Sequence, residues 1–333
     1  MRNKILLNPG PTNTRFWTKV KQWIGSDQCH RENGFQDRLN QVQETLRKEV
    51  YPQKYGRVAI MAGSGTTAME AMISSLVSDG VLLIVAGKYG VRASEIMQTY
   101  NIEHSIVKSC SIDDLKTNEA VTRVYFVENE TSSGEKYSLE RMCKLYPNAK
   151  FYLDSTSAFG ASDYKKYSHR IIALCCCSNK CLQSTPGLGI VIWDGIESCL
   201  NKSYFGDLSK YGIDRLPFTL PTQSLYALEE ALKHSLSNRE AFDSRAARLI
   251  KDFKRLGIKC LSSVPCNSII GFKHPTMNYE QLRGFLSLHG LVIYSGIEGI
   301  ENSFRVSTMS TLFDRKYDSI IAYFEKSVRR RNV

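Results

Sequence analysis

Three short stretches carry residue types suited to chemistry. The first is Gly63-Ser64-Gly65-Thr66-Thr67, which follows an apolar run ending at Met61 and opens an amphipathic one. Glycines let the backbone approach an oxyanion, and a helix starting there offers unpaired N–H groups and positive dipole potential. The hydroxyls add donors, so the stretch has the makings of a phosphate cradle. It lacks the Gly-Lys-Ser/Thr ending of a Walker loop and the third glycine of a dinucleotide fingerprint. An ordinary strand–helix turn capped by Ser64 or Thr66 reads it equally well. The second is Asp154, which ends the apolar run Phe151–Leu153 and precedes Ser155-Thr156-Ser157-Ala158-Phe159-Gly160. A carboxylate at a strand's C-terminal end sits where α/β sheets bind ligands, although a lone Asp also serves as a cap. The third is Ser178-Asn179-Lys180, straight after Ile171–Cys177. An ammonium at the mouth of a buried strand is costly unless it is paired, neutral or covalently modified. Taken alone, it is an ordinary surface lysine.

The elements that must position these residues alternate along the chain. Candidate strands are Arg57–Met61, Val81–Val85, His104–Val107, Arg123–Val127, Phe151–Leu153, Ile171–Cys176 and Ile190–Trp193. Helical patterns fall at Gln36–Val50, Thr66–Ser75, Val91–Tyr100 and Leu139–Leu145. Strands that are hydrophobic on both faces and separated by helices predict an α/β fold, with a mainly parallel seven-stranded sheet sandwiched by helices. Beyond Pro217–Pro221 the pattern changes. A single long helix is expected from Gln223 to about Arg255, with Leu225, Leu228, Leu232 and Leu236 at helical spacing. Short strands Ser268–Phe272, Leu291–Tyr294 and Phe304–Thr308 follow, with helices Tyr279–His289 and Asp314–Arg329. The expected organisation is an N-terminal arm (1–14), a large domain (15–221) and a smaller C-terminal α+β domain (222–333) entered through the long helix.

Composition narrows the classes. With 333 residues, 42% hydrophobic and 23% charged, the chain can bury a sizeable core and is not disordered. Its longest apolar runs, such as Val81–Ala86, are far short of a membrane span, and Met1–Pro11 is too short in apolar character for a signal peptide. A cytoplasmic protein is expected. The net charge of +11 favours anionic partners. The one dense basic run, Arg329–Arg331, reads as a solvated end, and without zinc-finger spacing, an RNP-like motif or a long basic helix beside it a basic nucleic-acid-binding protein is only the non-enzyme alternative. Ten cysteines include the run Cys175–Cys177. Alternate strand residues point to opposite faces, so the run cannot converge on one metal ion, and it reads as small buried hydrophobes. No metal is expected.

A phosphate cradle, a strand-end Asp and a strand-end Lys together are the parts needed to hold pyridoxal 5′-phosphate. At this point the order of motifs resembles the class V, fold-type I aminotransferases, most closely their 2-aminoethylphosphonate–pyruvate branch. The resemblance runs through Leu6-Leu7-Asn8-Pro9-Gly10-Pro11, Cys29-His30-Arg31-Glu32, Gly63-Ser64-Gly65-Thr66 with Glu70-Ala71-Met72, and Gly87-Lys88-Tyr89-Gly90. It continues through Asn129-Glu130-Thr131-Ser132-Ser133-Gly134, Asp154, Ser178-Asn179-Lys180 with Pro186-Gly187, Phe218-Thr219 with Pro221, and Phe304-Arg305-Val306. Two departures stand out: the chain is short for the group, and Val306-Ser307-Thr308 replaces the usual Ile-Gly-Asn type of sequence.

The resemblance implies a role for each matching position. Lys180 would bond the cofactor covalently and then move the substrate proton. Asp154 would pair with the pyridine nitrogen, and Ser64, Gly65 and Thr66 would grip the phosphate. Tyr89 would stack on the ring, with Ser178 also at the cofactor. Thr131 or Ser132 would hydrogen-bond the phenolic oxygen. Thr219 would reach the partner's phosphate in a homodimer with shared sites, and Arg305 would take the substrate's anionic group. The implied reaction moves the amino group of 2-aminoethylphosphonate to pyruvate, the small anionic donor and keto-acid acceptor, without nucleic acid or membrane. An alanine–glyoxylate type of transaminase is the alternative. A cysteine desulfurase shares the fold but needs a nucleophilic loop Cys, for which Cys266 is the best candidate.

Overall fold

The apolar runs at 81–85 and 171–177 are buried along their whole length, as strands covered on both faces must be. They belong to a seven-stranded sheet in the computed structural model, which describes residues 4–53, 56–196, 199–200, 202–212 and 216–330. The strand order is Arg57–Gly63, Gly187–Trp193, Ile171–Cys177, Lys150–Asp154, Arg123–Val127, Val81–Val85 and His104–Lys108. Gly187–Trp193 runs antiparallel to both neighbours, and every other pairing is parallel. One face is covered by helices Asn33–Val50, Leu139–Leu145 and Thr222–Ser235, through Leu39, Leu46, Met142 and Leu228. The other is covered by Gly65–Leu76 and Lys88–Thr99, through Met69, Met72 and Met97. Cys175, Cys176 and Cys177 are packed inside as small apolar side chains, and burial pushes their thiols up.

The C-terminal part forms a four-stranded antiparallel sheet, ordered Lys259–Cys260, Ile269–Lys273, Ser303–Ser307 and Tyr294–Ser295. Phe253, Phe272, Phe304 and Phe324 meet in its core, with Phe253 4.7 Å from Phe272 and 4.6 Å from Phe324 between ring centroids. Near the N-terminus, Ile5–Leu6 pairs in parallel with Leu291–Val292, so the arm is stitched to this smaller unit.

Two expectations need correction, and one helix was not expected. The long helix is two, Thr222–Ser235 and Arg239–Arg255, separated by a 3₁₀ turn at Leu236–Asn238. The leucines of the first helix pack into the large-sheet core, whereas Leu249 and Phe253 of the second pack into the smaller one. One straight axis cannot serve both. The single strand expected at Leu291–Tyr294 is likewise two, because 291–292 pairs with the arm and 294–295 with Ser303–Ser307. Helix Phe16–Ile24 has no inward apolar stripe to mark it in the sequence, because Phe16, Trp17 and Trp23 face outward instead of into this chain's core. Met1 to Asn3 and Arg331 of the basic tail lie outside the described residues. Among the described residues, no helix is long and apolar enough to cross a membrane.

Leu174 sits fully buried at the middle of strand Ile171–Cys177, which carries the lysine turn. Leu174→Ala is expected to cost about 2–5 kcal/mol, measured as a lower urea midpoint with an unchanged slope.

Candidate active site

The cradle begins where strand Arg57–Gly63 turns into helix Gly65–Leu76. Ser64 is the N-cap, and its N–H donates to Thr67 Oγ1 at 3.1 Å. Gly63 has φ +149°, and a Cβ there would lie 2.4 Å from Thr67 Oγ1. At Gly65 a Cβ would come within 2.7 Å of Thr156 Cγ2, so the cradle rests directly on the turn that follows Asp154. The side chains of Ser64 and Thr66 are exposed. Arg92 donates to Thr66 Oγ1 at 3.1 Å, adding a cation beside the helix N-terminus. The motif reading did not single out Arg92, which lies on the next helix and outside any local pattern.

Asp154 is buried at the C-terminal end of its strand, in register with Cys175 of the neighbouring strand. Its Oδ1 accepts from the Thr156 N–H at 2.9 Å and from Cys175 Sγ at 3.7 Å. Burial pushes its pKa up, while hydrogen bonds from Thr156 and Cys175 and the nearby Lys180 charge work the other way. Among the described residues no cation lies within ion-pair distance of this carboxylate, which suits a protonated ring nitrogen as its partner.

Lys180 stands on the turn after Ile171–Cys177, and its Nζ donates to the carbonyl of Pro9 at 2.6 Å. A Cβ on Gly10, whose φ is +143°, would fall 2.9 Å from Lys180 Cδ. The Asn8-Pro9-Gly10-Pro11 motif thus belongs at the lysine. The Ser178 hydroxyl donates to the Thr185 carbonyl at 2.6 Å and the Ser184 N–H to the Ser178 carbonyl at 2.9 Å, closing the lysine turn. The Ser178 side chain therefore holds the loop.

Glu130, inside the Asn129–Gly134 motif, is a further residue of the site. It is fully buried and burial raises its pKa. One oxygen accepts from the N–H groups of Tyr89 and Gly90 at 3.2 Å each, and the other from the Ser132 N–H at 3.1 Å and the Ser132 hydroxyl. Ser132 Oγ also accepts from the Lys88 N–H at 2.9 Å. A carboxylate therefore caps helix Lys88–Thr99 and fixes Tyr89 at its first turn. Its signal lay in the Asn129–Gly134 motif, where the hydroxyls drew attention instead.

Arg305 projects from strand Ser303–Ser307 and is only 8% exposed. Its Nε donates to Ser295 O at 2.7 Å and Nη1 to Thr131 O at 2.6 Å, with Tyr294 4.8 Å from the guanidinium. Burial pulls its pKa down, against opposing effects of Tyr89, Tyr294 and Glu130. Among the described residues no carboxylate lies within ion-pair distance. Arg305 lines a cavity of about 560 Å³ together with Lys88, Tyr89, Arg92 and Ser132. Thr219 is exposed on the segment before Thr222–Ser235, with no hydrogen bond to the cradle among the described residues. Cys266 is fully buried, donates its Sγ to Glu135 O at 3.0 Å, and has its thiol pushed well up by burial. It is no mobile-loop nucleophile.

No protein-family profile matches the chain. Over 98% of its length it is 28% identical to a bifunctional phosphonoacetaldehyde hydrolase/aminoethylphosphonate transaminase of Clostridioides difficile, of which it spans 56%. It is 26% identical to a 2-aminoethylphosphonate–pyruvate transaminase of Bacteroides fragilis, covering 96% of this chain and 98% of that one. Among solved structures, an aspartate aminotransferase of subgroup IV from Thermus thermophilus superposes with a TM-score of 0.87 at 21% identity, covering 97% of this chain and 98% of that one. The likeness to fold-type I aminotransferases expected from the motifs holds along the whole chain, and the fold is theirs.

The raised Asp154 pKa has a definite sign. In cofactor-free protein the folded state favours the protonated acid, so stability falls as pH rises from the ordinary aspartate range towards the raised value. The melting-temperature advantage of wild type over Asp154→Asn should therefore shrink with rising pH across that window. Adding pyridoxal phosphate should flatten the trend, because the ring cation then favours the charged form. Differential scanning fluorimetry of both proteins checks this, and an advantage that grows with pH would contradict it.

Proposed function

We propose that this chain is a pyridoxal-phosphate-dependent aminotransferase that moves the amino group of 2-aminoethylphosphonate to pyruvate, giving phosphonoacetaldehyde and alanine. When bound, the cofactor supplies a carbonyl that condenses with amines and a protonated ring that draws electrons from the substrate carbon. Ser64, Gly65 and Thr66 hold its phosphate at the helix N-terminus. Asp154 would keep its ring nitrogen protonated, and Tyr89 would stack on its ring. Thr131 takes the phenolic oxygen, since the Ser132 hydroxyl is already engaged by Glu130 and Lys88. Lys180 Nζ would hold the cofactor covalently and, once the substrate's amine has displaced it, would be free to accept the proton from the substrate carbon bearing the nitrogen. Both substrates pass through one site in turn, so kinetics are ping-pong.

The observation that carries the substrate reading is Arg305. A buried guanidinium held by carbonyls, facing a cavity without a carboxylate partner of its own, is arranged for an incoming anion. The phosphonate of the donor and the carboxylate of the acceptor each satisfy it. The aminoethylphosphonate relatives favour this donor over an alanine–glyoxylate pair. A homodimer completes the site, with Thr219 reaching the partner's phosphate. The outward Phe16, Trp17 and Trp23, 63–86% exposed, support a self-association face. Free cysteines throughout fit the reducing cytoplasm.

Amino-donor profiling tests this directly. The loaded enzyme's visible absorbance should change with 2-aminoethylphosphonate and be restored by pyruvate. No response to the phosphonate alongside a response to alanine would favour the glyoxylate type. Arg305→Lys should lower kcat/KM for both substrates on the order of 30-fold or more while cofactor binding persists. In light scattering the active species should be a dimer.

A further inference from the structure

Two cations of the substrate cavity are bracketed by the same two chain segments. Arg305 is held by the Thr131 carbonyl on one side and the Ser295 carbonyl on the other. Lys88 is held by Ser132 Oγ through its N–H, and its ammonium lies 3.0 Å from Glu298. Ser132 adjoins Thr131, and Glu298 is on the loop that continues from Ser295. That loop is pinned by the Ile297 N–H donating to Ser303 Oγ at 2.9 Å. The two cations differ in their commitments. Arg305 is buried and bonded to two carbonyls, whereas the Lys88 and Glu298 side chains are 71% and 82% exposed. An ion pair in that setting contributes little to stability and exchanges partners readily.

The charge of the cavity explains what Lys88 would exchange for. Its lining holds Lys88, Arg92 and Arg305, with Glu298 the one carboxylate among them. One guanidinium balances a carboxylate or sulfonate, but a phosphonate that has lost its second proton carries two negative charges, as a phosphate ester does above its second pKa near 6. We infer that Lys88 is the specificity residue for the second charge: it leaves Glu298 for the outer oxygen of a dianionic ligand whose inner oxygens are on Arg305. This rests on the phosphonate reading of the same site. Glu298 acts as the competitor, occupying Lys88 when the ligand offers a single charge. Ser132 fixes the Lys88 backbone, so the side chain swings from a stationary root.

The test compares isosteric, unreactive ligands on the cofactor-loaded protein by calorimetry at pH 9, where the lysine is still charged: ethylphosphonate, there mainly a dianion, and ethanesulfonate, a monoanion. Lys88→Met is expected to weaken ethylphosphonate about tenfold and leave ethanesulfonate within about twofold. Glu298→Gln should tighten ethylphosphonate about threefold, an opposite sign that a merely structural pair would not produce. Equal weakening of both ligands by Lys88→Met, or weaker phosphonate binding in Glu298→Gln, would overturn the inference. Failure of the broader reading looks different: wild type would not transaminate 2-aminoethylphosphonate, whatever these affinities are.

Discussion

The site depends on a carboxylate carried to the end of a buried strand. Asp154 stands between Arg123–Val127 and Ile171–Cys177, where water cannot reach it. Burial of this kind is tolerated only where the neighbouring strand ends supply compensation. Thr156 and Cys175 supply part of it, and Lys180, just beyond the end of the adjacent strand, supplies more at longer range. The parallel arrangement is what places all these strand ends at one edge of the sheet. The cradle at Ser64 arrives at the same edge by a different route. Its strand lies two places from Ile171–Cys177, beyond an antiparallel neighbour, and Gly65 packs against Thr156.

Most of this was legible in the chain because strand and helix periods are local. Val81–Val85, Arg123–Val127 and Leu139–Leu145 have the bounds expected from pattern alone. What was not legible depended on partners distant in sequence. The leucine spacing of Leu225–Leu236 continues smoothly through the break at 236–238, because periodicity records that a face is apolar and not which core receives it. Helix Phe16–Ile24 was invisible for the converse reason, since its aromatic residues point away from its own chain's core. At the site, the glycine and lysine motifs could be read, but the pairing of Arg305 with the Thr131 carbonyl joins positions that no local pattern connects.

Glu130 shows how one buried carboxylate can tie together several separate segments. It gathers the first turn of helix Lys88–Thr99 and the Thr131–Ser132 turn onto a single side chain. Thr131 then contacts Arg305 from the smaller unit. Tyr89, Ser132, Thr131 and Arg305 therefore share a common anchor. Their relative spacing is set before any ligand arrives, which is the condition for binding without a reorganisation cost.

The N-terminal arm has a consequence in mechanical terms. Residues 5–6 are laced to the smaller unit by Leu291–Val292, and a few residues later Pro9 and Gly10 press on Lys180 of the large sheet. A segment fixed at both ends behaves as a tie-rod. Leu7 too is bonded to the smaller unit, through Val292 and Ser307, so only Asn8 separates that anchorage from the carbonyl that holds the lysine, and a displacement of the smaller unit would be felt directly at that amine.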